Sequence, residues 1–315
     1  MLGACTSSSP PRVLPVITSV PALTSTTSFV VPSTGATVPT TTVATPTVPP
    51  PATTAKTSTP AATWPAPSTV AFDPTAIVSP TGTNAVPHPL GQVISRVDTT
   101  KKQIAITFDS NMTDDMLAKL DNGTVDTYAN TEVVDILERE KVPATFFLAA
   151  KWVQRYPELT KRLVSSPLWE VGSHSYQHKG FTPKCYTLAV LPPSQMADDV
   201  TKSFDTLKPF GGNQVPYFRF PGLCVDDTAM AAIAPTNVTV IHGDVASGDA
   251  FGTNAQAVTD QVLRLAKSGS IVVMHITKAN APKTQDALPG IIKGLRDKGY
   301  ELVKVSQLLA AGPAA

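Results

Sequence analysis

Hydrophobic and polar positions fall into two regimes along this chain. From about Val86 to Leu309, short apolar, β-branched runs alternate with segments whose apolar residues recur three or four positions apart. The first run, Gln103–Asp109, stops abruptly in the polar cluster Asp109-Ser110-Asn111, the pattern of a buried strand. An amphipathic helix near Thr131–Lys141 follows, with Val133, Val134, Ile136 and Leu137 on one side. Next come the strand Ala144–Ala150, a helix carrying Trp152, Tyr156, Leu159 and Leu163, and the strand Trp169–Ser175. The series continues with a helix over Ser194–Leu207, Ser194 serving as its N-cap, and the strand Tyr217–Pro221. A helix near Asp227–Ala234, the strand Thr239–Asp244 and the helix Ala255–Lys267 lead to the strand Ser270–Ile276. A helix over Leu288–Lys298 and the strand Tyr300–Val305 close the pattern.

Seven uniformly apolar strands with helices between them predict an all-parallel α/β sheet, because a one-sided antiparallel sheet would alternate polar and apolar positions. Gly269 and Gly299 just after helices, and Pro216 just before a strand, punctuate the units. No Gly-rich nucleotide turn follows the first strand. The pattern therefore favours an irregular parallel (β/α)7-type barrel over a doubly wound sheet.

Ahead of this domain the composition changes. Up to Val70 the chain holds 13 of its 30 prolines and is dominated by Thr, Ser, Ala and Val. Its only charges there are Arg12 and Lys56, and the first acidic residue is Asp73. Proline at this density interrupts helix and ladder hydrogen bonds, and few large side chains are present to bury. Residues 1–85 are thus expected to be a disordered tether and residues 86–315 the folded domain. The start, Leu2-Gly3-Ala4-Cys5, looks like the end of a bacterial lipoprotein signal, with Cys5 the lipidated residue. That expectation places the domain outside the cytoplasm, lipid-anchored at the bacterial membrane or secreted. No apolar run reaches the roughly 18 to 20 residues of a membrane-spanning helix. A formal net charge of +1 and the absence of a basic run leave no electrostatic footprint for nucleic acid. Setting Cys5 aside leaves Cys185 and Cys224, which outside the cytoplasm pair as a disulfide or remain as two buried thiols.

Parallel α/β folds place their chemistry at the carboxyl ends of the strands. There stand Asp109, Ser110 and Asn111, then His174-Ser-Tyr-Gln-His178, then Arg219-Phe-Pro-Gly222, then Asp244 to Asp249, and finally His275. His174 and His178, four apart, face one metal ion if their loop coils into a helical turn; otherwise they are surface histidines. Arg219, beside a buried strand, needs an acidic partner, and Asp109 is the obvious one. His275 emerges from Ile271-Val272-Val273-Met274 into the rim, unless it is a satisfied core histidine.

Together these residues resemble the polysaccharide deacetylases of carbohydrate esterase family four, the NodB-homology domain, over roughly Gln103 to Leu309. Thr-Phe-Asp109, His174-Ser-Tyr-Gln-His178, Arg219-Phe-Pro-Gly222, Val245-Ala-Ser-Gly-Asp249 and Val-Met-His275 match that family's five motifs in order. The resemblance implies an irregular barrel and a hydrolase that removes N-acetyl groups from a cell-wall or chitin-type glycan. It implies a divalent metal ion, commonly zinc, held by His174 and His178 and lowering the pKa of bound water toward about 7. Asp109 is then the base, His275 the acid that protonates the leaving amine, and Arg219 and Asp249 the residues that orient them. A backbone N–H and the metal stabilise the oxyanion.

Two departures bear on that expectation. The family's first motif normally carries a second Asp as third metal ligand, and this chain has Ser110, a poor ligand for zinc. Asn111, or Asp114 or Asp115 folding back, are the candidate replacements. The fourth motif has Ala246 and Ala250 where the family often has Asp and Trp, with Phe251 the candidate for the lost wall of the acetyl pocket. A bridge between Cys185 and Cys224 would pin two rim loops. The alternative functions are a non-catalytic glycan-binding domain and an amidase or esterase acting on a non-sugar acyl group.

Overall fold

The computed structural model describes residues 91–312. The expected tether, Cys5 and the boundary at residue 86 lie outside the described residues. Among the described residues nine strands occur: β1 (Val93–Ile94), β2 (Gln103–Ser110), β3 (Ala144–Leu148), β4 (Trp169–Ser173), β5 (Gln214–Phe218), β6 (Thr239–Ile241), β7 (Val245–Ala246), β8 (Ile271–His275) and β9 (Glu301–Val303). Nine α-helices separate or follow them: α1 (Asp114–Asp121), α2 (Thr131–Arg139), α3 (Ala150–Arg155), α4 (Pro157–Ser165), α5 (Pro193–Leu207), α6 (Asp227–Ile233), α7 (Ala255–Leu265), α8 (Thr284–Asp297) and α9 (Val305–Leu309).

The sheet runs β1-β6-β5-β4-β3-β2-β8-β7, with β9 beside β2, and every ladder is parallel. It curls into an incomplete barrel whose two ends are β1 and β7. The chain just after β1 reaches back across that seam, where Arg96 bridges Ser270 and the Val97 N–H donates to the Gly269 carbonyl.

Strand alternation divides the residues between two cores. Along β2, Ile104, Ile106 and Phe108 face the helices, where they join Val133, Leu137, Phe146, Trp152 and Leu288. Ala105 faces the barrel interior with Phe147, Tyr217, Ile241 and Ile271. Thr107 and Asp109 share the parity of Ala105, and both hydrogen-bond the buried Arg219. An apolar run that reads as uniform thus carries a polar interior row toward its carboxyl end.

The seven expected strands and their order are present, and the boundaries differ for local reasons. Pro216 lies inside β5 rather than before it, at the point where the β4–β5 register shifts; a strand proline is tolerated at such an irregularity. The helix with Trp152 and Leu163 is two helices, because Pro157 keeps Tyr156 out of helical backbone (φ −126°, ψ 60°) before starting α4. Ser194 is not an N-cap: α5 starts at Pro193, whose ring presets the first-turn φ and whose missing N–H needs no partner. The run expected to extend to Asp244 ends at Ile241, and the chain resumes as β7 on the other side of the seam.

Candidate active site

The interior parity of four strands delivers the rim chemistry to one place. Asp109 (β2) and His275 (β8) are direct register partners. His174 directly follows β4, and Arg219 directly follows β5. The guanidinium of Arg219 is fully buried and each of its nitrogens donates. Nη1 donates to Asp109 Oδ1 at 2.7 Å and to Thr107 Oγ1 at 2.7 Å. Nε and Nη2 donate to the carbonyls of Ile241 and His242, and the group lies 4.0 Å over the Phe147 ring. A buried carboxylate held by a fixed, hydrogen-bonded cation keeps its orientation.

Across from this pair, Asp249 and His275 form a second one. The His275 ring Nδ1 lies 2.8 Å from Asp249 Oδ1, and its backbone N–H donates to Oδ2 at 2.7 Å. The hydroxyls of Ser247 and Thr284 complete the carboxylate's shell. Burial raises the Asp249 pKa, and His275 and the Thr284 hydroxyl outweigh it, so the carboxyl sits below its ordinary value. Burial likewise pulls the His275 ring down, and the Asp249 charge and hydrogen bond carry it above its ordinary value. With Nδ1 committed to Asp249, Nε2 is the nitrogen left to exchange a proton.

His174 and His178 stand with ring centroids 5.0 Å apart. His174 Nδ1 lies 2.9 Å from the Arg219 carbonyl, which fixes the tautomer with the proton on Nδ1 and the lone pair on Nε2. Its Nε2 is 3.7 Å from Asp109 Oδ2. Neither nitrogen of the buried His178 has a hydrogen-bond partner. Burial lowers both ring pKa values, that of His178 most, with His174 and His275 adding to the effect there. Both imidazoles are therefore neutral at neutral pH, the state in which they donate lone pairs. Their loop is held by Asp199 of α5, whose carboxylate accepts from the Tyr176 N–H at 2.8 Å and from Gln177 Nε2 at 3.4 Å. Ser175 Oγ accepts from the His178 N–H, and Ser175 and His178 both adopt positive φ (73° and 52°).

The residues expected to replace the missing second Asp separate clearly. Asp114 is on the surface in an ion pair with Lys151, and Asp115 pairs with Lys119, so neither folds back. Ser110 Oγ is fully buried and accepts from the Ala149 N–H at 3.0 Å. Asn111, whose N–H donates to Thr277 Oγ1, keeps a buried Oδ1 with no partner. Among the described residues no three His, Cys, Asp or Glu side chains gather as a metal-binding group. Phe251 does not wall a pocket either; its side chain is 76% exposed. Cys185 and Cys224 are joined as a disulfide.

Sequence reasoning missed Thr107, Asp199, Ser247 and Thr284, which orient the catalytic candidates. It also missed His242, whose ring is buried against Phe220 with an unpartnered Nε2. Thr107 and Ser247 carried a signal, each standing two residues before a site Asp within one of the five motifs.

The family model described as polysaccharide deacetylase matches residues 96–241. A peptidoglycan-N-acetylglucosamine deacetylase of Bacillus cereus is 31% identical over 231 residues, covering 70% of this chain and 95% of that protein. This chain belongs to the polysaccharide deacetylase family. A bifunctional xylanase/deacetylase of Pseudobutyrivibrio xylanivorans is 30% identical over 209 residues, and there the match spans 66% of this chain but 30% of the longer relative. A family-four pseudoenzyme from Bacillus anthracis shares the fold, with a TM-score of 0.57 at 23% identity over 70% of each chain. Within the polysaccharide deacetylase family, then, the incomplete parallel barrel is the common feature, and what this member does rests on its own rim.

Proposed function

We propose that this domain is a metal-dependent hydrolase that removes N-acetyl groups from a cell-wall or chitin-type polysaccharide. The observation that carries the reading is a pair of buried, adjacent imidazoles with free ring nitrogens, on the same rim as two oriented acid–base groups. His174 Nε2 and His178 would hold the divalent ion, and the orphaned Asn111 Oδ1 is the remaining candidate for a third protein donor. When bound, such an ion supplies Lewis-acid polarisation of the acetyl carbonyl and a more acidic water. Asp109, oriented by Arg219, accepts the proton that water loses as its oxygen bonds to the acetyl carbon. His275 Nε2 gives a proton to the nitrogen as the C–N bond breaks, so a free amino sugar and acetate leave. Asp249 keeps that imidazole oriented and supports its charged form.

The direct test is metal content and acetate release of the wild type beside His174→Ala/His178→Ala. One ion per chain with release of acetate from an N-acetylated glycan, both lost in the double variant, is expected. An ion-free wild type after zinc soaking would overturn the reading. Asn111→Ala should weaken zinc binding and Asn111→Asp strengthen it, read by competition with a chelating dye.

A second reading, a non-catalytic glycan-binding domain, is favoured by Ser110 standing where the family carries a ligating Asp. Glycan affinity that survives complete metal removal would support it. Cell-wall placement through a lipid on Cys5 and the Thr/Pro-rich segment belongs to the same proposal, with the sequence as its support; mass spectrometry of the amino-terminal peptide tests it.

A further inference from the structure

We propose that Tyr186 and Phe251 are stacking platforms for two sugar rings of one glycan chain, one on each side of the catalytic centre. The inference rests on the glycan reading above and extends it to substrate length: the ligand is a polymer bound across the rim. Among the described residues, the two most exposed large hydrophobic side chains are Tyr186 (86%) and Phe251 (76%). Single exposed apolar residues are ordinary on a protein surface. These two differ in three respects.

Both occupy left-handed backbone, with φ of 53° and 57°, where a bulky residue is strained and persists only if its surroundings hold it. Both are anchored to the site. Tyr186 follows the disulfide-bonded Cys185, and its ring lies over Gly222, where an added Cβ would meet Tyr186 Cδ2 at 3.1 Å. Phe251 lies two residues after Asp249, and its backbone N–H is held by the Asn280 carbonyl. Finally, they stand on opposite sides of the barrel mouth. Tyr186 is on the loop after β4 and Phe251 on the loop after β7, with β3, β2 and β8 between those strands. His174, Asp109 and His275 end or follow the strands of that arc.

A flat, rigid, exposed ring offers the C–H face of a pyranose a large contact at little entropic cost. On the Tyr186 side the surface continues into an open groove of about 490 Å³ that Thr182, Lys184 and Asp226 help to line, groups suited to sugar hydroxyls and amides. The lost pocket wall at Ala250 and the outward Phe251 thus describe one change: less apolar enclosure of the acetyl group, more contact with the neighbouring sugar.

The test is calorimetric titration of the full chain with N-acetylglucosamine oligomers of one to six units, for wild type, Tyr186→Ala, Phe251→Ala and their Trp counterparts. Affinity should rise with length, and each alanine variant should lose about tenfold for the hexamer, as a truncated aromatic anchor does, while the Trp variants retain it. A wild type that binds the hexamer no better than the monomer would overturn the proposal, as would alanine variants that bind the hexamer normally. Acetate release, measured in parallel, keeps the two readings apart. Length-dependent binding without release sinks the hydrolase and leaves the platforms; release with normal hexamer binding in both alanine variants does the reverse.

Discussion

Asp249 grips His275 through both its ring and its backbone, so one substitution tests charge and geometry together. In the proposed mechanism His275 must be protonated to act as the acid, and its raised pKa keeps it so further into the alkaline range. Asp249→Asn removes the charge and leaves a neutral acceptor. The alkaline limb of kcat/KM should then move toward acid by about one pH unit, with at least a tenfold loss near pH 8. A limb that stays in place would show that another group sets it. His242 makes a prediction of opposite sense. Burial, with Arg219 nearby, holds its ring pKa down at about 4 against an ordinary 6.5. Protonation therefore favours the unfolded chain: stability is full above pH 6.5, declines as pH falls through that value, and levels below about 4. The loss amounts to about 3 kcal/mol by linkage. His242→Leu removes both this penalty and the unpartnered Nε2. Its melting temperature should gain on wild type between pH 7 and pH 4.5; parallel pH profiles would contradict the account.

At the scale of elements, helix α5 is the support of the two-histidine loop. Asp199 holds Tyr176 and Gln177, and Ser203 hydrogen-bonds Ser173, whose hydroxyl accepts from the Ser175 N–H. Asp199→Ala should therefore cost roughly tenfold in zinc affinity, as loss of a ligand's orienting partner does, while Asp199→Asn keeps the acceptor and loses less. Chelator competition reads this without turnover, and equal affinities for all three proteins would refute it. None of this was legible in the sequence. The strands were, because two-sided burial writes continuous apolar runs, and so were Asp109, His174, Arg219 and His275, because each ends or follows such a run. Asp199 and Thr284 sit in helices remote in sequence from their partners, and a polar residue within an amphipathic helix carries no mark of what it meets. β1 and β7, two residues each, are too short for any periodicity, and they are the strands that border the seam. Asp114 and Asp115 misled for a local reason. Thr113 caps the segment they begin, and two acids in a first turn favour the helix dipole over a return to the site.

The described domain has a chemical end and a structural end. Every catalytic candidate lies at or beyond the carboxyl ends of the strands, whereas the chain just after β1 closes onto the amino end of β8, where the Val97 N–H meets the Gly269 carbonyl and Arg96 bridges Ser270. Gly269 is the tight point of that closure. Its φ of +81° is one that a side chain resists, and an added Cβ would lie 1.8 Å from the Val97 carbonyl oxygen. No flexible side chain is there to yield, so the backbone of one sheet edge has to move away from the other. Gly269→Ala should lose at least about 2 kcal/mol, a melting temperature lower by roughly 4–8 °C for a domain of this size. Below the transition, kcat/KM should stay within about twofold of wild type, because β8 delivers His275 from its opposite end. Calorimetry and acetate release on one sample separate the two effects. A normal melting temperature would mean the seam contributes little to closing the barrel, and a matched loss of activity at low temperature would mean that the two ends are not mechanically independent.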